Sequence, residues 1–119
     1  MAGRPVMVIV LCTFPADHDA AGLARAVVSE RLAACVNILP PMQSVYRWEG
    51  EVEQASEHQL IIKTTPARVA ALQARLSELH PYDVPEILVI PVEAAAAYQQ
   101  WVALSVATDA PAGPESPDR

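Results

Sequence analysis

The stretch His80-Pro81-Tyr82-Asp83-Val84-Pro85-Glu86 carries more chemistry than a connector needs. Proline and aspartate make turns, by fixing φ and by bonding to nearby backbone. Imidazole, phenol and a second carboxylate are not required for that. The other group of note is the thiol of Cys12. Thiolate and imidazole are soft to borderline donors, which suit copper or zinc better than magnesium or calcium. One of each makes half a site, so a further donor must come from Glu86, Asp83, water or a neighbouring copy. Both groups ligate only after losing a proton, so binding should weaken as pH falls through the imidazole range near 6.5.

Each of these residues also has a plain structural reading. Cys12 can serve as a small buried hydrophobe. His80 can close a helix by meeting its last carbonyls and the negative end of its dipole. Tyr82 can pack over the core or stack on a ligand. Pro81 and Pro85 stiffen the segment, which suits either a site or a rigid contact between subunits. Cys35 and Lys63 pose the same choice: the lining of a small-molecule cleft between subunits, or a buried thiol beside a snorkelling lysine. Trp48, next to Glu49-Gly50, reads as an anchor for a subunit contact. His18 and His58 have no evident partner in the sequence.

The elements that must position these groups follow from periodicity. VMVIVLCT, 6–13, is an apolar run of strand length. Asp17 or Asp19 can cap a helix over about 18–33, where Ala21, Ala24, Val28 and Leu32 recur at spacings of three and four. CVNIL, 35–39, is a second strand, interrupted by Pro40-Pro41 because proline has no N–H for the ladder. Glu49-Gly50 turns a hairpin between 43–48 and 51–56, and 57–65 continues as the third strand. Thr65 and Pro66 open a second helix, with Val69, Leu72, Leu76 and Leu79 as its stripe. EILVIPV, 86–92, is the fourth strand. A third helix over 94–107 carries Tyr98, Trp101 and Val102.

The order is β-α-β-β-α-β with an extra C-terminal helix, the split βαβ or ferredoxin-like α+β pattern with an antiparallel sheet. Its strand directions place Cys12 and 80–86 at one end of the sheet, with Cys35 and Lys63 at the other. The long hairpin of the second and third strands should overhang, and its open edges call for pairing with another copy. Residues 1–108 read as one domain. The Pro-rich tail 109–119 has almost no apolar bulk and reads as disordered.

Composition narrows the function. The chain of 119 residues has a formal net charge of −6 and 8 Lys and Arg that never cluster, so it lacks the basic patch that phosphate backbones require. The first apolar run is short and β-branched and reads as a strand rather than a secretory signal. No run approaches the roughly 20 apolar residues of a membrane helix. Two cysteines make no disulfide framework, and the expectation is a cytoplasmic protein. Gly-rich phosphate loops, HExxH, CxxC and GxSxG are absent from the sequence, and the chain reads as non-enzymatic.

The segments VLCTFPA, RLAACVNI, SVYRWEGEVE, LIIKTTPAR and HPYDVPEILVIPV occur in that order over about 6–104. In this the chain resembles the CutA divalent-cation tolerance family. The resemblance implies a ferredoxin-like fold, a tight homotrimer like those of the PII signalling proteins, and a link to copper and other divalent metals. The family's suggested copper ligands fall on Cys12 and on the histidine of the HPY motif, His80. Some members have a second histidine just before it, where this chain has Leu79. The expected metal set is therefore Cys12, His80 and Glu86, and the expected role is binding of copper or related divalent ions in metal tolerance. The alternative is a PII-like signalling module holding a small molecule between subunits, with Cys35, Trp48, Lys63 and Tyr82 lining the cleft.

Overall fold

The computed structural model describes residues 7–108; the expected tail, 109–119, lies outside the described residues. The elements run β1 (Met7–Pro15), α1 (Ala20–Ser29), β2 (Cys35–Ile38), β3 (Met42–Trp48), β4 (Glu51–Thr64), a 3₁₀ turn (Pro66–Arg68), α2 (Val69–Leu79), β5 (Leu88–Val92) and α3 (Ala96–Ser105). The sheet order is β2-β4-β1-β5, with β3 also on β4. Every pairing is antiparallel. Because β2 and β3 share one side of β4, they are a single strand broken at 39–41, where the two prolines remove ladder donors. The result is the ferredoxin-like arrangement the element order implies.

Alternation along β1 sorts its side chains between two faces. Val8, Val10, Cys12 and Phe14 turn to α1 and α2, where they join Leu23, Val27, Leu60, Ile62, Leu72 and Leu76 in the main core. The opposite face is covered at one end by α3 and the residue that follows it, where Val102 and Val106 pack with Met7 and Ala34. Tyr98 and Trp101 lie against that smaller cluster. Farther along, Ile9 and Leu11 are half-buried, and their register partners Ile90 and Leu88 are 42% and 51% exposed. That part of the sheet is apolar and open.

Several boundaries differ from the sequence reading. α1 ends at Ser29 because Arg31 adopts a positive φ of 61°, which no helix continues through; Leu32 and Ala33 are buried in the connection instead. Its cap is Asp19, whose Oδ1 accepts from the Gly22 N–H at 2.9 Å. Thr65 makes no side-chain cap, and Pro66 opens the 3₁₀ turn before α2 begins. β5 starts at Leu88 rather than Glu86, because Pro85 and Glu86 stay with the connector. At the hairpin tip Glu49 and Gly50 both have positive φ, 52° and 82°, the pattern of the tight turn whose twist matches its strands.

Candidate functional site

The connector between α2 and β5 is pinned to the sheet by hydrogen bonds. α2 stops at Leu79, and His80 turns to extended backbone, so its ring reaches the end of β1. The His80 Nε2–H donates to the Thr13 carbonyl at 2.6 Å. Its Nδ1 accepts the Tyr82 backbone N–H at 3.1 Å. Together these fix a neutral imidazole with its proton on Nε2. Phe14 meets the ring edge-on at 5.2 Å, and Tyr82 lies 4.9 Å away. The Tyr82 hydroxyl in turn donates to Glu57 Oε2 at 2.9 Å. Burial first, and then the Glu57 carboxylate, push the Tyr82 phenol up to about 12. The segment is thus tied to both β1 and β4.

Cys12 lies at the same end but inside the core. It is fully buried, and its thiol points to the Thr13 carbonyl at 3.6 Å. Burial, then the charges of Glu86 and Glu57, push the thiol up to about 12. His80 bonds Thr13, the residue after Cys12, and Glu86 lines the same cleft as Thr13, so the three expected donors lie at one end of the sheet. They do not converge: among the described residues no three His, Cys, Asp or Glu side chains form a group that could hold a metal ion. His80 spends both nitrogens on backbone, and Cys12 is costly to ionise. Glu86 is the accessible donor of the three, half-buried on the wall of a cleft.

This cleft, of about 800 Å³, lies between the hairpin and the connector. Tyr46, Trp48, Tyr82, Glu57, Asp83 and Glu86 line it, with Met42 and Gln59 among the neighbours. Trp48 and Tyr82, two of the residues expected in a small-molecule cleft, therefore share one. Cys35 and Lys63 are elsewhere. They pair across β2 and β4, with Lys63 Nζ 4.0 Å from the Cys35 sulfur and bonded to Asn37 Oδ1. Lys63 lies twelve positions along β4 from Trp48's partner Glu51, roughly 40 Å of extended chain. One chain cannot bring all four to one ligand.

Sequence reasoning passed over Glu57, which is 5% exposed and holds the connector. Its signal was parity: Glu57, Gln59 and Ile61 alternate onto one face, with a carboxylate where a half-buried position should follow. The two histidines without evident partners have them. His58 Nδ1 meets the Leu39 carbonyl at 2.7 Å, and His18 Nδ1 meets Asp17 at 2.9 Å.

Fold and site together define a ferredoxin-like domain with an overhanging hairpin and an acidic, aromatic cleft beneath it. The family described as CutA1 divalent ion tolerance protein matches residues 8–105, and the chain belongs to that family. The divalent-cation tolerance protein CutA of Pectobacterium atrosepticum is 44% identical over 109 residues, covering 89% of this chain and 99% of its own. The solved structure of the divalent cation tolerance protein Cut A1 from Thermus thermophilus superposes with a TM-score of 0.81 at 43% identity, covering 85% of this chain and 99% of its own. The periplasmic divalent cation tolerance protein CutA from Archaeoglobus fulgidus gives 0.81 at 30% identity, covering 85% and 99%.

Proposed function

We propose that the protein acts in tolerance of divalent cations as a homotrimer in the cytoplasm, without catalysing a reaction. Copper or a related divalent ion such as zinc meets it at the end of β1 that holds Cys12, His80 and Glu86. Family membership supports the role. The observation that carries the site is the shared end of these three donors: His80 bonds the residue after Cys12, and Glu86 lines the cleft beside it. Ligation costs something here: His80 must leave the Thr13 carbonyl, or the thiol must be uncovered and ionised. Glu86 is the first contact, a neighbouring copy or water completes the set, and binding is weak. Trimer formation is supported by the open apolar face around Leu88 and Ile90 and by the exposed hairpin. Strand addition to a neighbour would satisfy the hairpin's edge, and a closed ring avoids fibres. The cytoplasm is supported by two free cysteines, and cell fractionation tests it, since one relative is called periplasmic.

Copper titrated by calorimetry into the wild type, Glu86→Gln, His80→Ala, Cys12→Ser and Cys35→Ser tests the site. The first three substitutions should weaken binding, and the fourth should leave it unchanged. Loss of binding in Cys35→Ser alone would move the metal to the far end of the sheet. A second reading, a PII-like module that binds a small molecule, is supported by the cleft that Trp48 and Tyr82 share.

A further inference from the structure

Strand register sorts the hairpin's side chains by kind. Trp48 stands opposite Glu51, Tyr46 opposite Glu53 and Met42 opposite Glu57. Residues two apart share a face, so these rings and carboxylates lie together. Arg47, opposite Val52, falls on the other face. The connector adds Tyr82, Asp83 and Glu86 to the inner end of the same surface. Among the described residues, the cleft is therefore lined by three aromatic rings and three carboxylates, and by no basic side chain.

Glu57 sharpens the point. It is 5% exposed, and among the described residues its side-chain hydrogen-bond partner is the Tyr82 hydroxyl. A buried carboxylate is normally paired, because desolvation disfavours a lone charge. Here the carboxyl group lies on the wall of a cleft of small-molecule size. Among the described residues the carboxylates do not converge as metal ligands do. Carboxylates spread around aromatic walls suit a diffuse, weakly hydrated positive charge instead.

We propose that this cleft binds a small organic cation, an ammonium or guanidinium group carried on an apolar body. The charge sits between Glu57, Glu86 and Asp83, and the body lies against Tyr46, Trp48 and Tyr82. The proposal rests on the small-molecule reading and gives it a ligand class; it shares Glu86 with the metal reading but needs neither Cys12 nor His80.

Calorimetry on the full chain, in its native assembly, tests it with choline and agmatine as probes. The uncharged isostere 3,3-dimethyl-1-butanol and the anion citrate serve as controls. Both cations should bind, and the isostere should bind at least tenfold more weakly. Glu86→Gln and Tyr46→Leu should each weaken the cations roughly tenfold, the loss of one charge or one ring contact. Cys12→Ser should leave them unchanged while weakening copper, which separates this site from the metal reading. Equal binding of the isostere, or no cation binding up to about 10 mM because a neighbour's hairpin fills the cleft, overturns the proposal. If citrate binds and the cations do not, the ligand class falls while the small-molecule reading stands.

Discussion

The two halves of β4 live in different surroundings. Leu60, Ile62 and Thr64 are completely buried beneath the helices, while Val52 in the outer half is 67% exposed. The outer half has one neighbour, β3, whose Val45 is also 67% exposed. The inner half is held by β1, β2 and two helices. A two-stranded ribbon in water is at best marginally stable. The same strand thus begins as a projecting arm and ends as a core rail. The core keeps the rail in place whether or not the arm finds a partner, so fold and assembly can be perturbed separately.

The largest effect should come from the rail. Leu76→Ala opens a cavity against fully buried neighbours and should cost about 2–5 kcal/mol in urea unfolding. A loss below 1 kcal/mol would mean that the core does not depend on α2. Next is the clamp between core and connector. His80→Ala strands the Thr13 carbonyl and the Tyr82 N–H and should cost about 1–3 kcal/mol. An unchanged melting temperature would show that the connector is held by its prolines alone. The arm comes third. Trp48→Ala should leave the far-ultraviolet spectrum intact and loosen the assembly, by more than about 1 kcal/mol if the ring anchors a neighbour. Light scattering across a dilution series reads this directly, and a wild type that is monomeric at high concentration would break the comparison.

What the sequence disclosed follows the same division. The apolar run of β1, the Pro40-Pro41 break and the Glu49-Gly50 turn are local signals, and each appears at its place in the fold. Topology alone also brought Cys12 and His80 to one end. The hydrogen bonds that decide their chemistry were not legible. His80 meets Thr13 across 67 positions, and Glu57 meets Tyr82 across 25. Those contacts depend on strand register and on the connector's path, which no local pattern encodes. Thr65 misled for a related reason: a Thr-Pro start has the residues of a cap, but the 3₁₀ turn that follows leaves the hydroxyl unused.

The smallest effect separates the two thiols. Cys12 is completely buried, with its thiol raised from 9.0 to about 12, whereas Cys35 is half-buried beside Lys63. Iodoacetamide attacks the thiolate, so at pH 8 native protein should remain unlabelled at Cys12, and denaturant should expose it. The same shift sets a sign for stability. In the unfolded chain Cys12 gives up its proton near 9, but in the folded chain it holds on to about 12. Its contribution is therefore complete below pH 9 and is lost as pH rises from 9 to 12. Tyr82, raised from 10.0 to about 12, acts in the same direction over the upper part of that window. Replacing Cys12 with alanine should flatten the alkaline limb of the stability curve. Rapid labelling of Cys12 in the native protein would mean that the thiol is not held in the core, and would make it a far better metal ligand than its burial allows.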